Sequence, residues 1–176
     1  VALKGISFDG HEFASKAIEL GAAAVLSQVK LEGNIPYILV KDTLKALQDI
    51  AKYYKSKFQI PFVSITGSSG KTTTTSLLAH ILSGLAPTSR QIFSNALRGI
   101  SGAVMRASRK DRFVVLEVAA SGRSSVAQLA EIAKPDVAIV TMVGLEHYSA
   151  FRSLEAVAAE KGHLVAAVQP RGFAPL

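Results

Sequence analysis

The residues Phe62–Thr66 form a largely apolar, strand-like run that passes directly into Gly67-Ser68-Ser69-Gly70-Lys71-Thr72-Thr73, after which a helical pattern begins. No other stretch narrows the possible architectures as much. A strand that turns at once into a helix through glycines leaves the first-turn N–H groups without backbone partners, at the positive end of the helix. A lysine and hydroxyls placed just there suit phosphate oxygens and a divalent cation. The common spacing G-x-x-x-x-G-K-[ST] would require glycine at position 65, which is Ile65, so what stands is T-G-x-x-G-K-T. A glycine-rich helix entry with an exposed lysine is the bland alternative. The joint occurrence of strand, loop, lysine, hydroxyls and helix favours nucleotide binding, with Thr66, Gly67, Ser68, Ser69, Gly70, Lys71, Thr72 and Thr73 as the contacting residues.

Downstream, strand-like runs at 113–118 and 137–143 alternate with helical patterns at 72–85, Ser125–Ala133 and 153–168. Such alternation predicts an α/β fold, a parallel sheet with helices on both faces. In the 72–85 helix, Leu77, Leu78, Ile81, Leu82 and Leu85 are assigned to one packed side, and Ser125 with Gln128 reads as a capping box. Residues 86–112 resist assignment, with a further strand and helix as the expectation. Upstream, 13–20 suits a short helix stopped by Gly21, while 23–26 and 37–40 read as buried strands. Asp42 is placed to cap a helix carrying Leu44, Leu47, Ala51, Tyr54 and Phe58, and Pro61 ends that region. Two domains follow: a small αβ unit over residues 1–58 and the parallel-sheet unit over 59–176.

With 49% hydrophobic residues in 176, the chain can bury a core, yet no apolar run approaches the about 18–20 residues of a membrane span. Cysteine is absent, which excludes disulfides, thiol nucleophiles and thiolate metal sites. The formal charge of +7, from 20 Lys+Arg against 13 Asp+Glu, is scattered and lacks aromatic interleaving. A solvated face or an anionic small-molecule substrate explains it better than a nucleic acid. Val1 stands where a methionine or a leader would begin, so a cytosolic protein trimmed at its start is expected.

Three further residues carry chemistry. Glu117 ends a strand that is otherwise Phe-Val-Val-Leu, and reads either as a water-facing edge acid or as a Mg²⁺ ligand at the ligand-gathering rim of a parallel sheet. His147 follows the 137–143 run at the same rim, either as a simple ring or as a ligand. Lys161 falls in the middle of the apolar stripe of Leu154, Val157, Ala158, Leu164, Val165 and Val168. A lysine there must be paired, neutral or snorkelled out. As a free amine it could react with CO₂ to give a metal-bridging carbamate.

Taken in order, Ile65-Thr-Gly-Ser-Ser-Gly-Lys-Thr-Thr73, Leu116-Glu-Val118, Lys134-Pro-Asp-Val137, Val143-Gly-Leu-Glu-His147 and Glu160-Lys-Gly162 resemble the motifs of the Mur ligase family. Phe8-Asp-Gly-His11 and Gly21-Ala-Ala-Ala24 look like the end of that family's first, UDP-sugar-binding domain. Within the family the likeness is greatest to the branch that adds D-alanyl-D-alanine. The chain departs from the pattern at 94–101, where only Asn95 and Gly99 keep their places, and at Glu117-Val-Ala-Ala in place of Glu-Met-Gly.

The resemblance implies ATP-dependent amide-bond formation in peptidoglycan synthesis. A UDP-N-acetylmuramoyl peptide would be joined to D-alanyl-D-alanine or an amino acid through an acyl phosphate. It implies Lys71 on the ATP phosphates, Thr72 and Glu117 on a first Mg²⁺, His147 on a second, and Lys161 as the carbamylated position, so that Lys71, His147 and Lys161 are the catalytic set. It also implies a sugar-binding domain and nucleotide domain that are both partial here, and little turnover by residues 1–176 alone; a cytoplasmic protein is expected, and the sequence leaves the oligomeric state open, with a monomer as the default. Competing readings are a folylpolyglutamate- or cyanophycin-type ligase, a non-catalytic nucleotide-binding module, and another P-loop NTPase.

Overall fold

A computed structural model describes residues 1–5, 8–91, 96–120, 122, 124–145, 151–170 and 172–174. The chain divides into two compact units, Val1–Ile50 and Ala51–Leu176.

In the first unit a 3-10 turn, Gly10–Phe13, runs into α1 (Ala14–Glu19), and β1 (Val25–Ser27) pairs in parallel with β2 (Tyr37–Leu39). Asp9 caps the turn through the His11 N–H at 3.0 Å and takes the His11 Nδ1 at 2.5 Å, while His11 Nε2 accepts the Gln28 N–H at 3.1 Å. Those bonds from His11 hold the Asp9 carboxyl below the usual carboxylate range. The core is small: Ala2, Ala14 and Val25, with Ile18, Leu31, Ile35 and Tyr37 against them. The 37–40 run is not a buried strand, because Ile38 and Leu39 are 59% and 53% exposed. A two-stranded sheet covered by one short helix leaves its outer strand in water. α2 (Thr43–Lys55) starts as its sequence indicates, with Asp42 Oδ1 accepting the Lys45 N–H at 2.9 Å.

The second unit takes in the end of α2. Its sheet has the order β4-β5-β3-β6, all parallel, from β3 (Phe62–Thr66), β4 (Thr88–Arg90), β5 (Phe113–Glu117) and β6 (Val137–Val140). α4 (Leu97–Arg106), α5 (Ser125–Ala133) and α6 (Leu154–Ala166) build one face, and α3 (Lys71–Ser83) the other. Strand alternation divides the side chains accordingly. Phe62, Val114, Leu116, Val118 and Ala138 join the core under α4, α5 and α6, whereas Ile65, Val115 and Ile139 meet Ala79, Leu78 and Leu82 of α3.

Two local expectations are corrected. The α3 leucines do not share a side: Leu77, Ile81 and Leu85 are 58%, 54% and 75% exposed, leaving Leu78 and Leu82 to pack. β6 stops at Val140 rather than at 143, because its partner β3 has already turned away at Gly67. The segment 86–112 supplies β4 and α4, the further strand and helix expected there. Lys55, buried beneath the sheet's lower edge, reaches Asp136 Oδ2 at 3.2 Å, and the same oxygen accepts the Phe62 N–H at 2.9 Å. No helix among the described residues is long and apolar enough to cross a membrane.

Candidate functional site

The site grows from the carboxyl end of β3. Gly67 adopts φ of 153° and Gly70 φ of 80°, conformations in which a side chain is strained. A Cβ on Gly67 would also lie 1.9 Å from Thr141 Oγ1, so the loop needs glycine for space as well as for angle. Gly70 is the N-cap of α3 and contributes no side-chain cap, which leaves the first-turn N–H groups to other acceptors.

Lys71 folds back over the loop, its Nζ donating to the Gly67 carbonyl at 2.7 Å. Two ammonium protons remain for another acceptor. Thr72 donates its hydroxyl to Glu117 Oε2 at 2.8 Å, so α3 and β5, 45 residues apart in sequence, meet at one point. Glu117 is fixed from its other side as well: its N–H donates to the Oε1 of Gln91, a buried residue just past β4, at 2.9 Å. The pattern gave Gln91 no role; its side chain spans to the neighbouring strand, a long-range contact without local signature.

A second support comes from the segment after β6. Thr141 donates its hydroxyl to the Ser69 carbonyl at 2.5 Å, and the Ser68 N–H donates to the Met142 carbonyl at 2.9 Å. The Ser68 hydroxyl donates to the Gly144 carbonyl at 2.8 Å and accepts the Gly144 N–H at 2.9 Å. Thr66 contributes a buried hydroxyl with no partner among the described residues, and Thr73 stands exposed on the first turn of α3.

Lys161 is 1% exposed in α6, a helix that packs against α5, β3 and β6. Such burial removes the snorkelling alternative. Leu154 and Ala158, grouped with it by spacing, are exposed; the packed face comprises Val157, Glu160, Lys161 and Leu164. Glu160 is the residue that spacing missed. Its carboxylate accepts the Ser124 N–H at 2.7 Å, the Val126 N–H at 2.8 Å and the Ser125 hydroxyl at 3.3 Å. It therefore caps α5 from another helix. The capping box expected from Ser125 and Gln128 does not form: the N-cap is Ser124, which makes no side-chain cap bond, and the Ser125 hydroxyl donates to the Gly122 carbonyl at 2.6 Å. His147 and Asn95 lie outside the described residues.

The donor set suits Mg²⁺. A hydroxyl and a carboxylate oxygen converge within 2.8 Å, both hard oxygen donors, beside N–H groups able to hold phosphates. Among the described residues no group of three His, Cys, Asp or Glu forms a closed metal cage.

The Mur ligase middle domain matches residues 65–176 of the chain. The UDP-N-acetylmuramoyl-tripeptide–D-alanyl-D-alanine ligase of Synechocystis sp. is 39% identical over 100% of this chain and 40% of its own length. The enzyme of the same name from Escherichia coli is 32% identical over 99% of this chain and 39% of its own. In structure, MurF from Acinetobacter baumannii aligns at a TM-score of 0.90 and 28% identity, covering 98% of this chain and 39% of that one. The MurF ligase of Thermotoga maritima in complex with ADP aligns at 0.87 and 30%, covering 98% and 41%. The chain thus spans about two fifths of the length of these relatives. Its glycine loop and the Thr72–Glu117 pair lie within the stretch that the family's middle domain matches, and the chain belongs to the Mur ligase family.

Proposed function

We propose that this chain carries the nucleotide site of an ATP-dependent amide ligase that joins D-alanyl-D-alanine to a UDP-N-acetylmuramoyl tripeptide in the cytoplasm. The contact between the Thr72 hydroxyl and the Glu117 carboxylate at 2.8 Å carries this reading, because it brings the end of the phosphate loop to the carboxyl end of β5. In support, relatives that share 39% and 32% of its residues bear that activity as their name, and a Thermotoga relative holds ADP.

In this reading the first-turn N–H groups of α3 and the Lys71 ammonium bind and orient the phosphate chain of ATP. Thr72 and Glu117 would hold Mg²⁺, which neutralises charge on the transferring phosphoryl group. A carboxylate oxygen of the muramoyl peptide attacks the γ-phosphorus, the bond to the β,γ-bridging oxygen breaks, and ADP leaves. The amine of D-alanyl-D-alanine then attacks the acyl carbon. The C–O bond to phosphate breaks, and the amine proton departs to solvent or phosphate. Lys161 is the position for a carbamate, formed as its neutral amine adds to CO₂ and releases one proton, and His147 is assigned to a second Mg²⁺. The 1–58 segment is the end of the UDP-sugar domain, and 59–176 part of the ATP domain.

The test uses the intact protein that contains this sequence. Phosphate release is expected to require Mg²⁺, the muramoyl tripeptide and D-alanyl-D-alanine together. Lys71→Ala is expected to lower nucleotide affinity about a hundredfold with an unchanged melting temperature. ATP hydrolysis that proceeds equally without either peptide substrate would overturn the assignment in favour of a simple NTPase.

A further inference from the structure

The phosphate loop is held in shape by a residue outside it. In a trans peptide the carbonyl and the N–H that follows it point in opposite directions, so fixing one aims the other. Three constraints apply here. The Thr66 carbonyl accepts the Thr141 N–H at 2.9 Å, which turns the Gly67 N–H away from β6. The Gly67 carbonyl faces Lys71, and the Ser68 N–H accordingly points back to the Met142 carbonyl. The Ser69 carbonyl accepts the Thr141 hydroxyl at 2.5 Å, with a longer branch of that hydroxyl at 3.3 Å from the Thr66 carbonyl. The Gly70 N–H is therefore aimed away from β6, on the same side as that of Gly67. The Ser68 N–H is already used within the protein.

We infer that Thr141 is a positioning residue for the nucleotide site: its hydroxyl, by holding the Ser69 carbonyl, sets the heading of the Gly70 N–H toward the phosphates. The close approach supports this. The space beside Gly67 where a Cβ would stand is filled by Thr141 Oγ1, so loop and threonine are fitted to each other without slack. Without the hydroxyl, the peptide between Ser69 and Gly70 loses its only side-chain anchor among the described residues and can rotate. Gly70, with no Cβ, offers little resistance to that rotation. This inference rests on the nucleotide reading above, because it concerns the aim of a phosphate donor.

The experiment compares the intact protein with Thr141→Val, Thr141→Ala and Thr141→Ser, measuring MgADP affinity by calorimetry, KM for ATP, kcat and thermal melting. Valine keeps the shape and removes the hydroxyl, alanine removes both, and serine keeps the hydroxyl alone. The expected result is about tenfold weaker MgADP binding and a raised KM for ATP in the valine and alanine variants. KM for the muramoyl peptide should not change, and serine should restore nucleotide affinity to near the parent value. A fold defect alone would lower melting and active fraction without this selective change in nucleotide affinity, and serine would not reverse it. If valine destabilises the protein, the alanine and serine pair decides. Nucleotide affinity equal to the parent in both hydroxyl-free variants, or equally lost in serine, overturns the inference. Lys71→Ala serves as the separate control: if it too leaves MgADP affinity unchanged, the nucleotide reading fails rather than the role of Thr141.

Discussion

The two faces of the β4-β5-β3-β6 sheet are built to different standards. Beneath α4, α5 and α6 lies a continuous core in which Phe62, Ile100, Leu116, Ile132 and Leu164 are fully buried. Beneath α3 the buried apolar cluster of the described residues is small, Ile65, Ala79 and Val115, and three large apolar residues of the helix face outward. The thick face supplies the stability that lets the thin one specialise. α3 lies close along β3, β4 and β5 and presents its N-terminus at the strand ends, with little large apolar bulk between helix and sheet.

Removing bulk from the thick face should have the largest effect. Phe62→Ala is expected to lower unfolding free energy by about 3–5 kcal/mol in denaturant titrations. A loss below about 1 kcal/mol would contradict the division of labour between faces, since Phe62 also stacks edge-on with Phe58. A smaller break is available where the helices of that face are tied together. Glu160→Ala leaves the N–H groups of Ser124 and Val126 without their carboxylate, and should reduce stability by about 2 kcal/mol, with hydrogen exchange rising first at the start of α5. Protection unchanged there would remove the interhelical cap from the account. On the opposite face, Leu77→Gln and Ile81→Gln should each shift stability by no more than about 0.5 kcal/mol. A much larger loss in the intact protein would mean that this side of α3 is covered there, and the contrast between faces would narrow.

Most strands were legible as short apolar runs and most helices by an apolar period of 3.6. The loop was legible because glycine, lysine and threonine in that order meet a local need of backbone and charge. What failed was local evidence for non-local choices. Leu77, Leu78, Ile81, Leu82 and Leu85 form two adjacent i,i+4 rows, and nothing within the helix tells which row meets a sheet. Ser125 and Gln128 satisfy the rule for a capping box, yet a carboxylate from 34 residues beyond Val126 takes the N–H groups instead. β4 is three polar residues, and α4 contains Gly99, Ser101 and Gly102, so neither shows a pattern strong enough to read. Thr141 and Gln91 act on the loop and on Glu117 through side-chain bonds that span 72 and 26 residues.

The bond between Glu160 and the backbone at 124 and 126 has a consequence for how this helix can change over time. Successive residues of an α-helix are turned by about 100° about its axis. With Glu160 pinned, the heading of Lys161 is dictated by its neighbour. Adding or deleting one residue between Ser153 and Glu160 would turn the carboxylate and the amine together, by about 100°, relative to the first turn of α6. Length variation should therefore be tolerated in the loops on either side of α6 and rejected within its first two turns, whatever the residue inserted.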